Sequence, residues 1–357
     1  MNYKIALLPG DGIGPEVIEQ AVNVLNATGE VAGHTFTFTE GLVGAVAIDH
    51  TGNPFPEETL DLCRRSDAIL FGAIGHPKYD NDPSAKVRPE QGLLRARSEL
   101  GLYANVRPVK SIPALGAMSP LKEDIIAGTD IVMISELTGG IYFGKPRGRS
   151  EDGLTAYDTC TYSRYEIERV VRLGCQYATQ RKKKVTVIDK ANVLATSRLW
   201  RETAKEISTE YPDLEMDFMF VDNAAMQLIR NPSAFDVIVT ENMFGDILSD
   251  EASVITGSLG MLPSASIGLT ASLYEPIHGS FPQAAGKNIA NPVGTILSAA
   301  MMLELSFGLV KEAQLITRAV EKTIEEGIVT PDLNADNSSS TTEMGKRICE
   351  QVRAFGG

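Results

Sequence analysis

The sequence predicts an α/β protein whose mostly parallel sheets are flanked by helices and shared between two domains. Three observations lead there. Short, nearly continuously apolar runs recur along the chain. Helical patterns alternate with them. The 357 residues also suffice for two hydrophobic cores.

Taken in order, "YKIALLPG" reads as the first strand. It leads into "GPEVIEQAVNVL", where Pro15 suits a first helical turn and Val17, Ile18, Ala21, Val22 and Leu25 fall on one face. "DAILFGAIG", "TDIVMISE", "KVTVIDK", "LEMDFMFVD" and "FDVIVTEN" follow, each rich in β-branched or bulky residues, as expected of strands buried on both faces. "DGLTAYDTCTYSRYEIERVVRL" begins strand-like, and Ser163 to Glu166 form a capping box that opens a helix. "NADNSSSTTEMG" is a polar loop. Several strand runs end in a polar residue before a helix: Lys190 after one, Asp222 after another, Asp246 just beyond a third. In open α/β sheets ligands bind beyond the carboxyl ends of the strands.

Bulk composition narrows the partners. Apolar residues make up 43% and charged ones 22%, an ordinary globular balance, while a net charge of −13 argues against nucleic acid or an anionic membrane. A local basic pocket for a small anion remains compatible with that charge. Cys63, Cys160, Cys175 and Cys349 are scattered without a CxxC spacing, which reads as reduced thiols and a cytoplasmic setting. No secretory signal and no span-length apolar stretch is visible.

Two motifs admit two readings each. "GDGIGPE", between a strand and a helix, is either a tight turn or a phosphate cradle, with Glu40 after "HTFTFT" at a suggestive distance. Its spacing is G-x-G-x-G, and Pro15 stands where the dinucleotide fingerprint has its third glycine. In "TENMFGDILSDEAS", Asp246 and Asp250 are four apart and share a helix face, where like charges repel. Either Asp246 lies in a first helical turn and Asp250 faces water, or both hold a hard cation.

Six segments, collinear and closely spaced, go further. "LLPGDGIGPEV", "GLLRARSELGLYANVRPV", "ELTGGIYFGKPRG", "DKANVLATSRLWRE", "TENMFGDILSDEASVITGSLGMLPSAS" and "YEPIHGSFPQAAGKNIANP" resemble the isopropylmalate dehydrogenase branch of the β-hydroxyacid oxidative decarboxylases. That family also includes isocitrate and homoisocitrate dehydrogenases. The likeness runs from about Lys4 to the C-terminal helix. It implies a two-domain isopropylmalate dehydrogenase-like fold, not a Rossmann fold. The first, cofactor-binding domain would hold 1–102 plus 257–357. The second, for dimerisation, metal and substrate, would hold 103–256, with an intersubunit β-arm near 152–163. It implies a homodimer with shared active sites. The reaction would convert 3-isopropylmalate to 4-methyl-2-oxopentanoate and CO2 with reduction of NAD, in leucine biosynthesis.

The resemblance also assigns residues. Asp246 and Asp250, with Asp222 from the other subunit, would hold Mg2+ or Mn2+. Lys190 matches the catalytic lysine that accepts the alcohol proton, and Tyr142 the tyrosine that returns a proton after decarboxylation. Arg97 and Arg107 match two clamp arginines for the dicarboxylate. Leu93 and Leu94 match the stretch that receives the isopropyl group, helped by Val193 of the partner. In the cofactor loop, Glu275, His278, Gly279, Ser280, Ala290 and Asn291 carry over; Glu90 and Asn192 are candidate neighbours of the nicotinamide end, and Asp332 of the adenosine ribose.

Two positions depart from the family pattern. Ser135 stands where the third clamp arginine is usual, with Arg95 or Arg147 as candidate replacements. Gln283 stands where NAD-using members have an aspartate, but no cation awaits a 2′-phosphate, so NAD is expected. Ser135 leaves open a sister activity on malate, tartrate or homoisocitrate. A catalytically silent regulatory subunit on the same fold is the rival from another class, and five intact chemical residues argue against it.

Overall fold

The computed structural model describes residues 1–82 and 85–357. Among them are the strands β1 (Asn2–Gly10), β2 (Thr35–Glu40), β3 (Ala68–Ala73), β4 (Leu102–Lys110), β5 (Asp130–Glu136), β6 (Arg147–Arg149), β7 (Ala156–Asp158), β8 (Lys184–Asp189), β9 (Glu215–Phe220), β10 (Val237–Thr240), β11 (Pro263–Gly268) and β12 (Ser272–Pro276). Helices alternate with most of them, as the apolar periodicities require.

The chain forms two compact units. The first comprises Met1–Leu102, Ile112–Ser119 and Thr256–Gly357; the second comprises Tyr103–Ser111 and Pro120–Ile255. The short piece Ile112–Ser119 therefore packs with the first unit, although it lies within 103–256.

In the first unit the strand order is β2-β1-β3-β12-β11. The β1, β2, β3 and β12 neighbours run parallel, and the β11–β12 hairpin is antiparallel. Ile69, Phe71, Phe55 and Leu273 anchor a dry core there, with Leu93 packed on its margin. The helix Gly14–Ala32 buries Val17, Ile18, Ala21 and Leu25, leaves Val22 half-buried, and stops where Gly33 turns left-handed at φ 72°. In the second unit the order is β4-β5-β10-β8-β9. Here β5, β10, β8 and β9 are parallel, and β4 runs antiparallel to β5.

Strands β3, β5, β8 and β10 are buried nearly throughout. The strand in "LEMDFMFVD" differs from the sequence expectation. It is the edge strand β9, and none of its residues is fully buried, because it lies at the margin of the sheet. The capping box forms as read: Ser163 and Glu166 satisfy each other's backbone amides at the start of Arg164–Thr179. Strands β6 and β7 pair into an exposed antiparallel hairpin that begins at Arg147, before the stretch assigned to the arm. The cysteines are free thiols. Burial pushes Cys63 up to about 12, and Cys175 and Cys349 each up to about 11, so these three are unreactive at neutral pH. No helix among the described residues is long and apolar enough to cross a membrane.

Candidate active site

The second unit gathers charged groups where β5, β8 and β10 end and the antiparallel β4 begins. The helix Asn242–Ser253 starts directly after β10, with the Glu241 carboxylate accepting from Phe244 N at 2.9 Å. Asp246 is thus the fifth helical residue, past the first turn, and the helix dipole does not account for it. A cation does. Arg107, on β4, donates from Nη2 to Asp246 Oδ1 at 3.0 Å, and also to Ser249 Oγ on the same helix face. Gly245 lets β5 approach this helix: a Cβ there would sit 2.3 Å from that of Ser135. Ser135 is buried, and the β-register aligns it with Asn105 on one side and Thr240 on the other.

Asp250 lies one turn beyond Asp246. Burial raises its carboxyl above the ordinary range; the Arg107 charge opposes that rise and the Asp246 charge adds to it. Folding therefore favours the protonated acid. This stabilisation is complete below the unfolded-state pKa and is lost as pH rises through the folded one. The metal-free protein is expected to lose stability as pH climbs from about 4 through that raised value, and Asp250→Asn should flatten the loss. At neutral pH, Mn2+ at about a hundredfold its Kd should restore about 2.7 kcal/mol. Thermal melts of both proteins with and without Mn2+ check this; a wild-type melt that Mn2+ does not move contradicts it.

Lys190 follows β8 and pairs with Asp222, which lies in the first turn of Val221–Arg230. That hydrogen bond holds the Asp222 carboxyl below its usual range. The turn presenting Lys190 is fixed from behind. Buried Asp189 accepts from Arg201 Nε at 2.8 Å and Nη2 at 2.9 Å, and from Ala191 N at 2.9 Å. Asn192 and Val193, next along, are exposed. No three His, Cys, Asp or Glu side chains converge into a metal-holding group among the described residues, so one chain does not bring Asp222 to Asp246 and Asp250. The donor set itself fits Mg2+ or Mn2+, being carboxylate oxygen throughout.

Tyr142 ends a short 3-10 turn, Gly140–Tyr142, and its carbonyl accepts from Arg147 Nη1 at 2.7 Å. The turn is pinned on both sides. Fully buried Glu136 accepts from Thr138 N and Gly139 N and pairs with Arg169 at 3.0 Å. The Tyr162 ring covers Gly139 and Gly140, while its hydroxyl donates to Glu241 at 3.2 Å and accepts from Asn242 N at 3.0 Å. Burial pushes both Glu241 and Tyr162 up. Sequence reasoning missed Asp189, Arg201, Arg169, Glu241 and Tyr162. The acids could have been flagged at strand ends, but no spacing identifies partners so distant along the chain.

The two replacement cations are already committed. Arg95 pairs with Glu57 and donates to Phe55 O at 2.8 Å. Arg147 pairs with Asp158 at 2.8 Å, besides bonding Tyr142 O.

On the first unit, Leu93, Leu94 and Arg97 share the helix Glu90–Glu99. Both leucines are half-buried, and Leu93 packs against the core. Arg97 is buried 3.6 Å from Glu275 Oε1, and its Nε has no hydrogen-bond partner. A buried guanidinium with an orphaned donor is suited to an incoming anion. Exposed Glu90 and buried Ser280 flank Gly75 (φ 121°): a Cβ there would lie 3.3 Å from both Glu90 Oε1 and Ser280 Oγ. His278 is a half-buried imidazole whose Nδ1 donates to Gly279 O at 2.9 Å; desolvation lowers its pKa, and its enclosed Nε2 is left without a partner. Gly279 is open to space on its Cβ side. An orphaned acceptor beside open backbone fits a nucleotide base. Gln283 is exposed, and Ala290 is buried against Ile13 and Val17. Asn291 and Asp332 bind each other at 3.0 Å, and Asp332 also accepts from Thr330 and Ser258, so internal bonds absorb much of its capacity.

A family model described as isocitrate/isopropylmalate dehydrogenase matches residues 4–348. The chain is 55% identical to the 3-isopropylmalate dehydrogenase of Aquifex aeolicus over 355 residues, covering 98% of this chain and 97% of that one. It is 58% identical to that of Geobacillus kaustophilus over 352 residues, covering 97% and 95%. Among solved structures, isocitrate dehydrogenase from Methylococcus capsulatus is similar at a TM-score of 0.87, with 39% identity over 98% of this chain and 99% of the other.

Proposed function

The chain belongs to the isocitrate/isopropylmalate dehydrogenase family, and from that premise we propose that it oxidatively decarboxylates 3-isopropylmalate to 4-methyl-2-oxopentanoate and CO2 with reduction of NAD. The observation that carries this is near-full-length identity of 55% and 58% to two 3-isopropylmalate dehydrogenases. The pathway served is leucine biosynthesis, in the cytoplasm, and the working species is a homodimer.

Each residue's task follows from its chemistry. Arg107 offers a guanidinium fork to a substrate carboxylate, and Arg97 a buried one with an unspent donor. Leu93 and Leu94 give the isopropyl group an apolar surface, contributing about 2 kcal/mol by burial. Lys190 accepts the hydroxyl proton once its pairing with Asp222 loosens. Tyr142, on a turn fixed by Glu136 and Tyr162, donates the proton that completes the product. Asp246 and Asp250, with the partner subunit's Asp222, would hold Mg2+ or Mn2+, which supplies Lewis-acid stabilisation of developing negative charge. The segment around His278, Gly279 and Ser280, with Glu90 and Asn192, would hold NAD, which supplies the two-electron oxidant.

Initial rates of NAD reduction with 3-isopropylmalate and Mg2+, beside malate, tartrate, homoisocitrate and NADP controls, test this directly. Faster turnover of another diacid, or with NADP, contradicts it. Ser135 sharpens the question, because Arg95 and Arg147 are both paired elsewhere. Ser135→Arg is expected to keep kcat and lower the substrate KM, by up to about tenfold for one added charged hydrogen bond. A large fall in kcat/KM would show that the serine has its own task.

A further inference from the structure

The glycine-rich turn "GDGIGPE" takes no part in the chemistry above, yet it is tied at several points to the segment assigned to NAD. We propose that Glu16, at the end of this turn, is a positioning residue that sets the cofactor loop 278–291. This inference rests on the reading of that loop as the NAD site.

Three of the turn's amides are spent on backbone carbonyls. Asp11 N donates to Ala73 O at 2.8 Å, Ile13 N to Ser280 O at 2.8 Å, and Gly14 N to Asp11 O at 3.0 Å. The glycines serve close backbone packing. A Cβ on Gly12 (φ 60°) would sit 1.9 Å from Ser280 O, and one on Gly14 2.1 Å from Pro9 O. With Asp11 N, Ile13 N and Gly14 N committed to backbone carbonyls, the turn works as a bracket. Its Asp11 carboxylate accepts from Ala45 N, Val46 N and Gly75 N at 2.8–3.0 Å, fixing Gly75 where Glu90 and Ser280 face it.

At the other end of the turn, Glu16 reaches across to the loop. One carboxylate oxygen accepts from Gly286 N, and the other from Asn288 N at 3.2 Å. Asn288 holds a left-handed φ of 57°, a conformation that needs support from its surroundings. Ile13 and Val17 pack against Ala284 and Ala290. The turn therefore grips the loop at 280, 284, 286, 288 and 290. Among these contacts the Glu16 bonds are the charged ones. Asn288 also exchanges hydrogen bonds with Thr342 at 2.9 and 3.0 Å, so the loop stays attached when Glu16 is changed.

The test measures NAD binding to the full-length protein by calorimetry, alongside KM for NAD, KM for 3-isopropylmalate, kcat and Tm. Glu16→Ala is expected to raise the Kd and KM for NAD about tenfold, as loss of a charge-assisted anchor would. Glu16→Gln, which keeps one acceptor, should fall between. At saturating NAD, kcat and the substrate KM should stay within about twofold. Glu19→Gln, an exposed neighbour, should leave NAD binding unchanged. Unaltered NAD affinity in Glu16→Ala overturns the inference. So does a parallel loss of NAD affinity, substrate affinity and Tm, which marks a purely structural residue. Wild-type protein that fails to bind NAD removes the underlying reading and this inference together.

Discussion

Replacing Lys190 with methionine should lower kcat by about 10²- to 10⁴-fold, the range for removing a general acid–base group. Both KM values should change little, because methionine keeps the length of the side chain and Asp189 still fastens the turn through Arg201. The ammonium group is held by an ion pair with Asp222. Steady-state kinetics check this, and the calorimetric Kd for NAD should not move. A kcat within a few-fold of wild type would remove Lys190 from the proton path.

Arg107→Leu should raise the substrate KM by about 10- to 100-fold, equivalent to losing a charged hydrogen bond of 1.5–3 kcal/mol. Arg107→Lys should recover only part, since an ammonium cannot present a planar fork. The variant distinguishes two roles. Arg107 contacts Asp246 at 3.0 Å, so it could serve only to hold the acidic helix in place. If it binds substrate, Mn2+ affinity should persist or tighten, because a positive charge has left the neighbourhood of Asp246 and Asp250. If it is only a scaffold, Mn2+ affinity should collapse as the KM rises. Mn2+ titration followed by electron paramagnetic resonance separates these outcomes.

The α/β class was legible because buried parallel strands are written as continuous apolar runs, as in "KVTVIDK" and "FDVIVTEN". β9 misled for the same reason: Met216, Phe218 and Phe220 look like a buried strand, while its place at the sheet edge is a matter of topology that no local pattern records. The capping box at Ser163 was legible because its partners are three residues apart. The bracing of the site was not. Arg169 reaches Glu136 across 33 positions, and Tyr162 reaches Glu241 across 79. Those contacts exist only once the strands are in register. Asp246 lies between these cases. Its shared face with Asp250 could be read from spacing, but Arg107, 139 positions away, could not be read as its counter-ion.

The proposed division of one active site between two chains is tested most directly by complementation. Lys190→Met and Asp250→Asn proteins, each inactive alone, are denatured together, refolded and assayed with 3-isopropylmalate, NAD and Mg2+. If each site takes Lys190 and Asp222 from one subunit and Asp246 and Asp250 from the other, every mixed dimer regains one intact site. Random pairing should then restore roughly a quarter of wild-type activity. If all these groups act within a single chain, every site in the mixture carries a defect, and the mixture will stay as inactive as its parents.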